Sequence, residues 1–594
     1  MLYLARAGPV PEEALAIKMS HIARSSLIIA VFFGLEKVLG MLRNILIAQS
    51  FGLSSDLDAY NVANNLPDLI FALIIGGALA IALIPVLSET LEREGRPALW
   101  DLFTRIANLV FIVTALLSVV VALFAQPLVQ RVIAPGFEAG QQLLVADLMR
   151  LNLIATLFFS LGGLLISGLQ ANQHFFLPAL APSMYDLGAF FGIIFLVPER
   201  GYQVGPVSLP AFGLGIRGLV IGTILGATLF FLIQLPGLAI YRFRWRPAIN
   251  LGHPGVTRVL GLLGPRILMV LLIQVIFVAQ DNLASFLGTG IVTALVYGWL
   301  IMQFPETVIG TTIGTVFLPT LSEQAARGGH IGIRPPLQRW LRWGLPFALA
   351  LIMGVRRDDL VFLGPIAPET NQQLWAVKGL LLAALGLALL PRALKFPLPG
   401  SGSEFPESLQ RALRAILALT IPTAALLMVV VRPFVSLLGF EDAGLELVTW
   451  TARAFLVGLV GHSLLEVSMR AFYAQQDAYT PLITYILLAA IYILAAAMLS
   501  PRLGAPGFGL ANALAFTFEA LLLWYLLKRC FPGRLAVGGT LRRALAGSAV
   551  AALLALGAMQ LPLPGIPLAL GAAGIGALGA LPFIWPEMKL LLRL

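Results

Sequence analysis

The feature that most limits this chain is a recurrent apolar run long enough to cross a bilayer, which takes about 20 residues of helix. Such runs lie near 24–51, 59–88, 104–126, 145–170, 177–198, 213–240, 258–286 and 291–322, and again near 412–438, 446–472, 481–500, 507–528, 541–560 and 566–585. A less regular pair lies near 337–355 and 374–391. Lipid offers no partner to open backbone amides, so each run is expected to be a helix. Charged residues make up only 11% of the chain and its mean hydropathy is +0.91, whereas roughly a quarter of a soluble protein is charged. The polar surface is too small to face water.

The basic residues set an orientation. Arg93, Arg96 and Arg105 fall near one junction, Arg242, Arg244, Arg246 and Arg258 near another, and Arg327, Arg334, Arg339 and Arg342 near a third; Lys528, Arg529, Arg534, Arg542 and Arg543 cluster later. The loops between them, such as 52–58, 286–291 and 439–447, carry acids or nothing. Because the two kinds of loop alternate, the basic loops and both termini are expected to be cytoplasmic. The same rule accounts for the net charge of +10 without nucleic acid. One cysteine, Cys530, excludes a disulfide framework. The first 18 residues have no long apolar run and no cleavage signal, so a tail is expected there and Met19 reads as a natural start.

Two short motifs recur. PVLSE (Pro85–Glu89) returns as PTLSE (Pro319–Glu323), and ANQHFFLP (Ala171–Pro178) returns as AQQDAYTP (Ala474–Pro481). Two pseudo-symmetric halves of six helices explain this order, a plan common among transporters that hold substrate between halves. The first pair is offset by 234 positions and the second by 303, so about 69 extra residues lie between Glu323 and Ala474. The segment 331–405 is read as an inserted membrane hairpin, since an even number of spans preserves the orientation of the later helices. The expected organisation is an N-terminal tail (1–22), an N-lobe of helices 1–6 (23–245), and a C-lobe in two parts (246–330 and 406–530) split by the insertion. Two extra helices complete the chain (531–594).

Ionisable residues inside spans are costly, about 2.5–3.5 kcal/mol at the bilayer centre by insertion scales, and they mark function by default. The first span carries Glu36, Lys37, Arg43 and Asn44. At 100° per residue, Glu36 and Arg43 lie within about 20° of each other, and Lys37 and Asn44 form a second row. Asp58, Asn61, Asn64, Asn65 and Asp68 share an arc of about 120° on the second span, and Arg266, Gln274 and Asp281 share a face of the seventh. Such stripes imply a hydrated cavity. One acid does not neutralise both Lys37 and Arg43, and a surplus of positive charge there suits an anionic cargo such as a pyrophosphate. For Asp58, capping of its own helix is an equal alternative; for Arg266, which follows Pro265, snorkelling to the surface is the bland one. No Walker A, G-x-S-x-G or H-E-x-x-H motif occurs, so neither a catalytic site nor a metal or cofactor is expected.

The stretch EKVLGMLRNILIAQSFG, followed by LDAYNVANNLPDLIFALIIGGALAIALIPVLSE, resembles the opening of the MurJ (MviN) family of lipid II flippases, within the multidrug/oligosaccharidyl-lipid/polysaccharide exporter superfamily. DNLASFLGTG, GTVFLPTLSE, GIRGLVIGTILGA and RAFYAQQDAYTP extend the resemblance from about residue 20 to residue 530. It implies an all-α polytopic membrane protein: two six-helix lobes, two C-terminal helices, a cationic central cavity and alternating access. It also implies lipid II, a lipid-linked pyrophosphate, as cargo in the bacterial inner membrane, with membrane lipids and cell-wall synthesis or division proteins as partners. Lys37 and Arg43 match two cavity arginines of the family, and Asp58 matches its acid at the start of helix two. With Asn44, Asn61, Asn65 and Arg266 they form the expected cargo site. The chain departs from the family at Phe71 and at Trp299 and Leu300, where an arginine and an Asp-Arg pair are usual, and at Asn44, where an acid is usual. Those losses leave two other readings open: export of another polyprenyl-linked oligosaccharide, or a scaffold that no longer transports.

Overall fold

The computed structural model describes residues 34–74, 78–201, 210–328, 335–356, 370–394, 404–562 and 564–591, with Phe32, Gln203–Val204, Val207–Ser208 and 358–360. The expected tail, 1–22, lies outside the described residues. The chain is helical almost throughout: α1 (34–51), α2 (Ser55–Ile74), α3 (Ala78–Glu94), α4 (Arg96–Leu128), α5 (Ala139–Ala171), α6 (Phe176–Phe191), α7 (Gly215–Leu232), α8 (Leu235–Ile240), α9 (Pro254–Ala284) and α10 (Ile291–Glu306). Then come α11 (Thr312–Gly328), α12 (Pro335–Gly354), α13 (Asn371–Leu394), α14 (Glu404–Ser436), α15 (Asp442–Val457), α16 (Leu459–Ala474), α17 (Tyr479–Leu503), α18 (Ala505–Cys530), α19 (Gly538–Ala558) and α20 (Gly565–Leu591). Among the described residues the exception to the all-α expectation is a two-residue antiparallel ladder, Gln203–Val204 with Val207–Ser208. Among the described residues twelve helical segments are long and apolar enough to cross a membrane, or thirteen if the bent pair α15–α16 is one span.

Burial identifies the solvent. The most apolar segment, in α4, is only 22% buried, and Leu116, Val119, Leu123 and Phe124 stand exposed on it, whereas α17 is 72% buried. In water such a face would be an aggregation site; in hydrocarbon it costs nothing.

The fold divides into two compact units: Met1–Ser50 with Leu66–Ala125 and Ala146–Leu263, and Phe51–Asn65 with Gln126–Val145 and Gly264–Leu594. The first unit holds a close helix pair. Gly188 and Gly192 of the α6 segment face Gly218, Gly222 and Gly226 of α7, so nearly that a Cβ on Gly188 would overlap the Gly226 backbone and one on Gly222 would lie 2.7 Å from the Gly192 Cα. Small residues at four-residue spacing let helix backbones touch where no hydrophobic effect drives them together. Gly188→Leu is expected to cost at least the ~1–3 kcal/mol of an overpacked core, seen as a lower Tm in detergent; an unchanged Tm would refute the tight interface.

In the second unit α17 lies between α13 and α18. Gly379 and Gly386 of α13 sit against Leu494 and Leu487 of α17. The segment read as an insertion thus contributes α12 and α13, the latter packed into this unit. The final helices, α19 and α20, pack on α14 through Leu426, Val430, Ala551, Ala555 and Ala572. Glu587, 1% exposed, ties them together: it accepts from Arg414 of α14 at 3.0 Å, from Thr540 at 2.7 Å, and from Arg543.

The second sequence repeat has a backbone counterpart. At the end of α5, Gln173 is left-handed (φ 59°) and the His174 amide donates to Leu169 O; at the end of α16, Gln476 is left-handed (φ 60°) and the Asp477 amide donates to Phe472 O. Both are Schellman-type helix stops. Glycine usually serves there, since a left-handed side chain costs roughly 1–2 kcal/mol. The same unfavoured residue at the same step of both motifs supports duplication over chance.

Candidate functional site

The sequence-predicted residues fall in two places. Lys37, Arg43 and Asn44 lie in the first unit; Asp58, Asn61, Asn65 and Arg266 lie in the second. The Arg266 side chain is outside the described residues.

On α1, Lys37 pairs with the neighbouring Glu36 at 3.2 Å, with its side chain 47% exposed. Arg43 is held more firmly. Its guanidinium donates to Asp186 at 2.7 Å and lies 4.8 Å from the Tyr185 ring centre; the Arg43 side chain is 20% exposed and that of Asp186 only 2%. This corrects the expected surplus of positive charge: each of the two cations has its own acid. The second acid was legible. Asp186 stands in PSMYDLGAFF of the fifth span, where any ionisable group is a candidate. Asn44 follows on α1, half-buried. A half-buried guanidinium holding a carboxylate presents the donor fork that a phosphate's oxygens also match.

The polar stripe of α2 is engaged differently. The Leu57 amide donates to Ser54 Oγ at 3.2 Å, so Ser54 caps α2. Asp58 does not cap its own helix. Fully buried, it accepts from the Gly290 and Thr293 amides at 2.5 and 2.8 Å and from Thr293 Oγ1 at 2.7 Å, sealing the first turn of α10. Helix N-termini attract anions through unpaired amides and the helix dipole. Gly290 is left-handed (φ 83°), and a Cβ there would lie 2.8 Å from Leu53 Cβ, so glycine permits the approach. Asn61 Nδ2 donates to Thr293 Oγ1 at 3.2 Å, Asn65 Nδ2 donates to Asp281, and Gln274 Nε2 donates to Asn65 O at 3.3 Å. Gln274 and Asp281 therefore share a face of α9 and use it on α2. The result is a lock of hydrogen bonds joining α2 to α9 and α10. A cavity of about 520 Å³ opens beside it, lined by Asp56, Glu138, Gln141 and Thr289 among others. Its acids do not suit a pyrophosphate.

Two of the departures, Phe71 and Trp299, are packing positions. Phe71 meets Phe159 edge-on with ring centres 5.8 Å apart, and Trp299 packs against Phe455 and His462. Among the described residues no group of three or more His, Cys, Asp or Glu side chains is placed to hold a metal ion.

A family model described as "Lipid II flippase MurJ" matches residues 47–355 and 375–565. A "Lipid II flippase MurJ" of Burkholderia cenocepacia is 26% identical over 518 residues, covering 86% of this chain and 84% of that protein. Among solved structures, one described as "Lipid II flippase MurJ, inward closed conformation" superposes with a TM-score of 0.68 at 18% identity, covering 96% of this chain and 100% of the other. An inward-facing multidrug resistance MATE family transporter of the MOP superfamily gives 0.53 at 13% identity, over 82% and 94%. At these identities the two structures speak for the fold.

Proposed function

The chain belongs to the lipid II flippase MurJ family, and we propose from that membership that it carries lipid II from the cytoplasmic to the outer face of the bacterial inner membrane by alternating access. What carries the reading is the extent of the family match, from the end of α1 to the start of α20 with only 356–374 left out. The protein is a multi-pass membrane transporter rather than an enzyme. Its termini are assigned to the cytoplasm on the alternation of basic and acidic loops.

In this reading Arg43 grips the pyrophosphate by exchanging the Asp186 carboxylate for phosphate oxygens, so cargo binding releases a buried acid. Lys37, more exposed, adds a mobile second charge. Asn44 is assigned to the same head group on sequence position, and Arg266, in the second unit, keeps its sequence-based assignment to the cargo. Asp58, Asn61 and Asn65 act as the lock whose making and breaking accompanies the transport cycle. A second reading, export of another polyprenyl-linked oligosaccharide, draws on Phe71 and Leu300, which put apolar side chains where the family carries cations.

Expression in a flippase-depleted strain is expected to restore growth, and purified protein in vesicles is expected to flip lipid II in preference to other polyprenyl-linked glycans. Failure to rescue, with a glycan other than the peptidoglycan precursor flipped instead, would select the second reading.

A further inference from the structure

In the second unit, α10 ends at Glu306, directly after Pro305, and a five-residue π-helical turn, Thr307–Thr311, precedes α11. Proline removes an amide donor and the wide turn absorbs the mismatch; such turns recur at functional sites. Here the turn brings Thr311 round to Glu306, whose carboxylate accepts from Thr311 Oγ1 at 3.2 and 3.4 Å. Facing them, α16 presents Ser463, Glu466 and Arg470 along one side. Arg470 donates to Glu466, and at 3.3 Å to Thr315 Oγ1. Two glycines make the room. A Cβ on Gly310 would lie 2.8 Å from Glu306 Oε1 and 2.9 Å from Ser463 Oγ, and one on Gly314 would overlap the Arg470 guanidinium. Ser463 is fully buried and its hydroxyl has no partner, although it borders the same space as Glu306.

The charges do not balance. Among the described residues, Glu466 and Arg470 are the charged side chains beside Glu306, which makes two carboxylates for one guanidinium there. Other ionisable groups on the packed helices are engaged elsewhere: His462 with Asn512, Glu519 with Thr484, Arg453 with Met428 O, Arg414 with Glu587, Arg432 with Glu446, Arg411 with Glu407. Lys528 and Arg529 lie over Trp524 and Tyr525, and Glu323 stands at the far end of α11. An uncompensated negative charge inside a bilayer is expensive, and one added proton removes it.

We propose that Glu306 and Glu466, with Ser463 and Arg470, form a one-proton binding site in this unit, and that its loading and unloading is coupled to cargo movement. The step forms and breaks a single O–H bond: a carboxylate takes a proton from water on one side of the membrane and returns it on the other. With the proton bound, the cluster of two carboxyls and one guanidinium is neutral. Without it, both carboxylates compete for Arg470, and the bent α10–α11 connection beside Pro305 is placed to follow. Glu466, 37% exposed, is the entry for the proton.

This rests on the transport reading, and the experiment separates the two. Full-length protein is reconstituted with lipid II in vesicles clamped at zero potential. Flipping and lumenal pH are followed while a pH gradient is imposed. At one proton per lipid, a gradient of one pH unit shifts the cargo distribution about tenfold. Glu306→Gln is expected to bind lipid II yet lose this response and the accompanying pH change, and Glu306→Asp to restore both. A Glu306→Gln protein that still follows the gradient, or a parent that follows sodium and ignores pH, would overturn the site. If the parent flips nothing, the transport reading fails instead. The site is then decided by infrared difference spectra of the solubilised full chain after a pH jump. A protonated-carboxyl band lost in Glu306→Gln supports it, and a band that persists refutes it.

Discussion

Arg43→Ala is expected to reduce lipid II flipping in reconstituted vesicles by about ten- to a hundredfold, since a charge-assisted hydrogen bond is worth about 1.5–3 kcal/mol and every 1.4 kcal/mol is a factor of ten. The same change strands Asp186, which is 2% exposed, and breaking a buried pair from one side costs about 3–5 kcal/mol. Lost flipping alone would therefore not separate cargo binding from folding. The double variant Arg43→Ala/Asp186→Asn does. It removes both charges, so the fold is expected to recover, as read by Tm, while flipping stays at background. Arg43→Lys keeps the charge but not the planar fork, and is expected to fold and flip slowly. If the double variant flips lipid II as fast as the parent, the exchange of Asp186 for pyrophosphate at Arg43 is wrong, whatever the family.

The helical plan was legible because lipid leaves the backbone no alternative, so apolar length alone marked α4, α7, α17 and the rest. The repeat was legible from ANQ and AQQ, and the structure gives it meaning in the left-handed Gln173 and Gln476. Partners were harder to read. Helical spacing placed Asp58, Asn61 and Asn65 on one side of α2, but nothing local says that the side meets an amide more than 200 residues away. The same limit hid the balance of charge. Arg43 looked uncompensated because its acid, Asp186, comes 143 residues later on another span. Glu306 and Glu466 stand in apolar spans but were not singled out from the sequence, and their common site depends on a π turn that no periodicity announces.

Asp58→Ala is the second large effect, and it is expected to act on conformation rather than on cargo binding. In the described state the carboxylate serves three donors from α10 at once, the Gly290 amide, the Thr293 amide and Thr293 Oγ1. Alanine leaves two buried amides unpaired, each at about 1–3 kcal/mol, and removes the anion from the α10 N-terminus, a term of about 0.3–1 kcal/mol or more when buried. A state in which these groups reach water does not carry that penalty. The variant therefore shifts the equilibrium toward it by a factor on the order of 100, taking about 3 kcal/mol for the whole lock. Leu57, 1% exposed on the same turn of α2, reports the change. With Cys530 replaced by serine and Leu57→Cys introduced, a membrane-impermeant maleimide is expected to label the Asp58→Ala protein far faster than its Asp58 parent. Transport is expected to stall because the cycle cannot return to the locked state. Asp58→Asn keeps an acceptor for one amide and should fall between. Equal labelling and equal flipping in all three would leave Asp58 as an ordinary helix cap, and the α2–α10 lock without a part in transport.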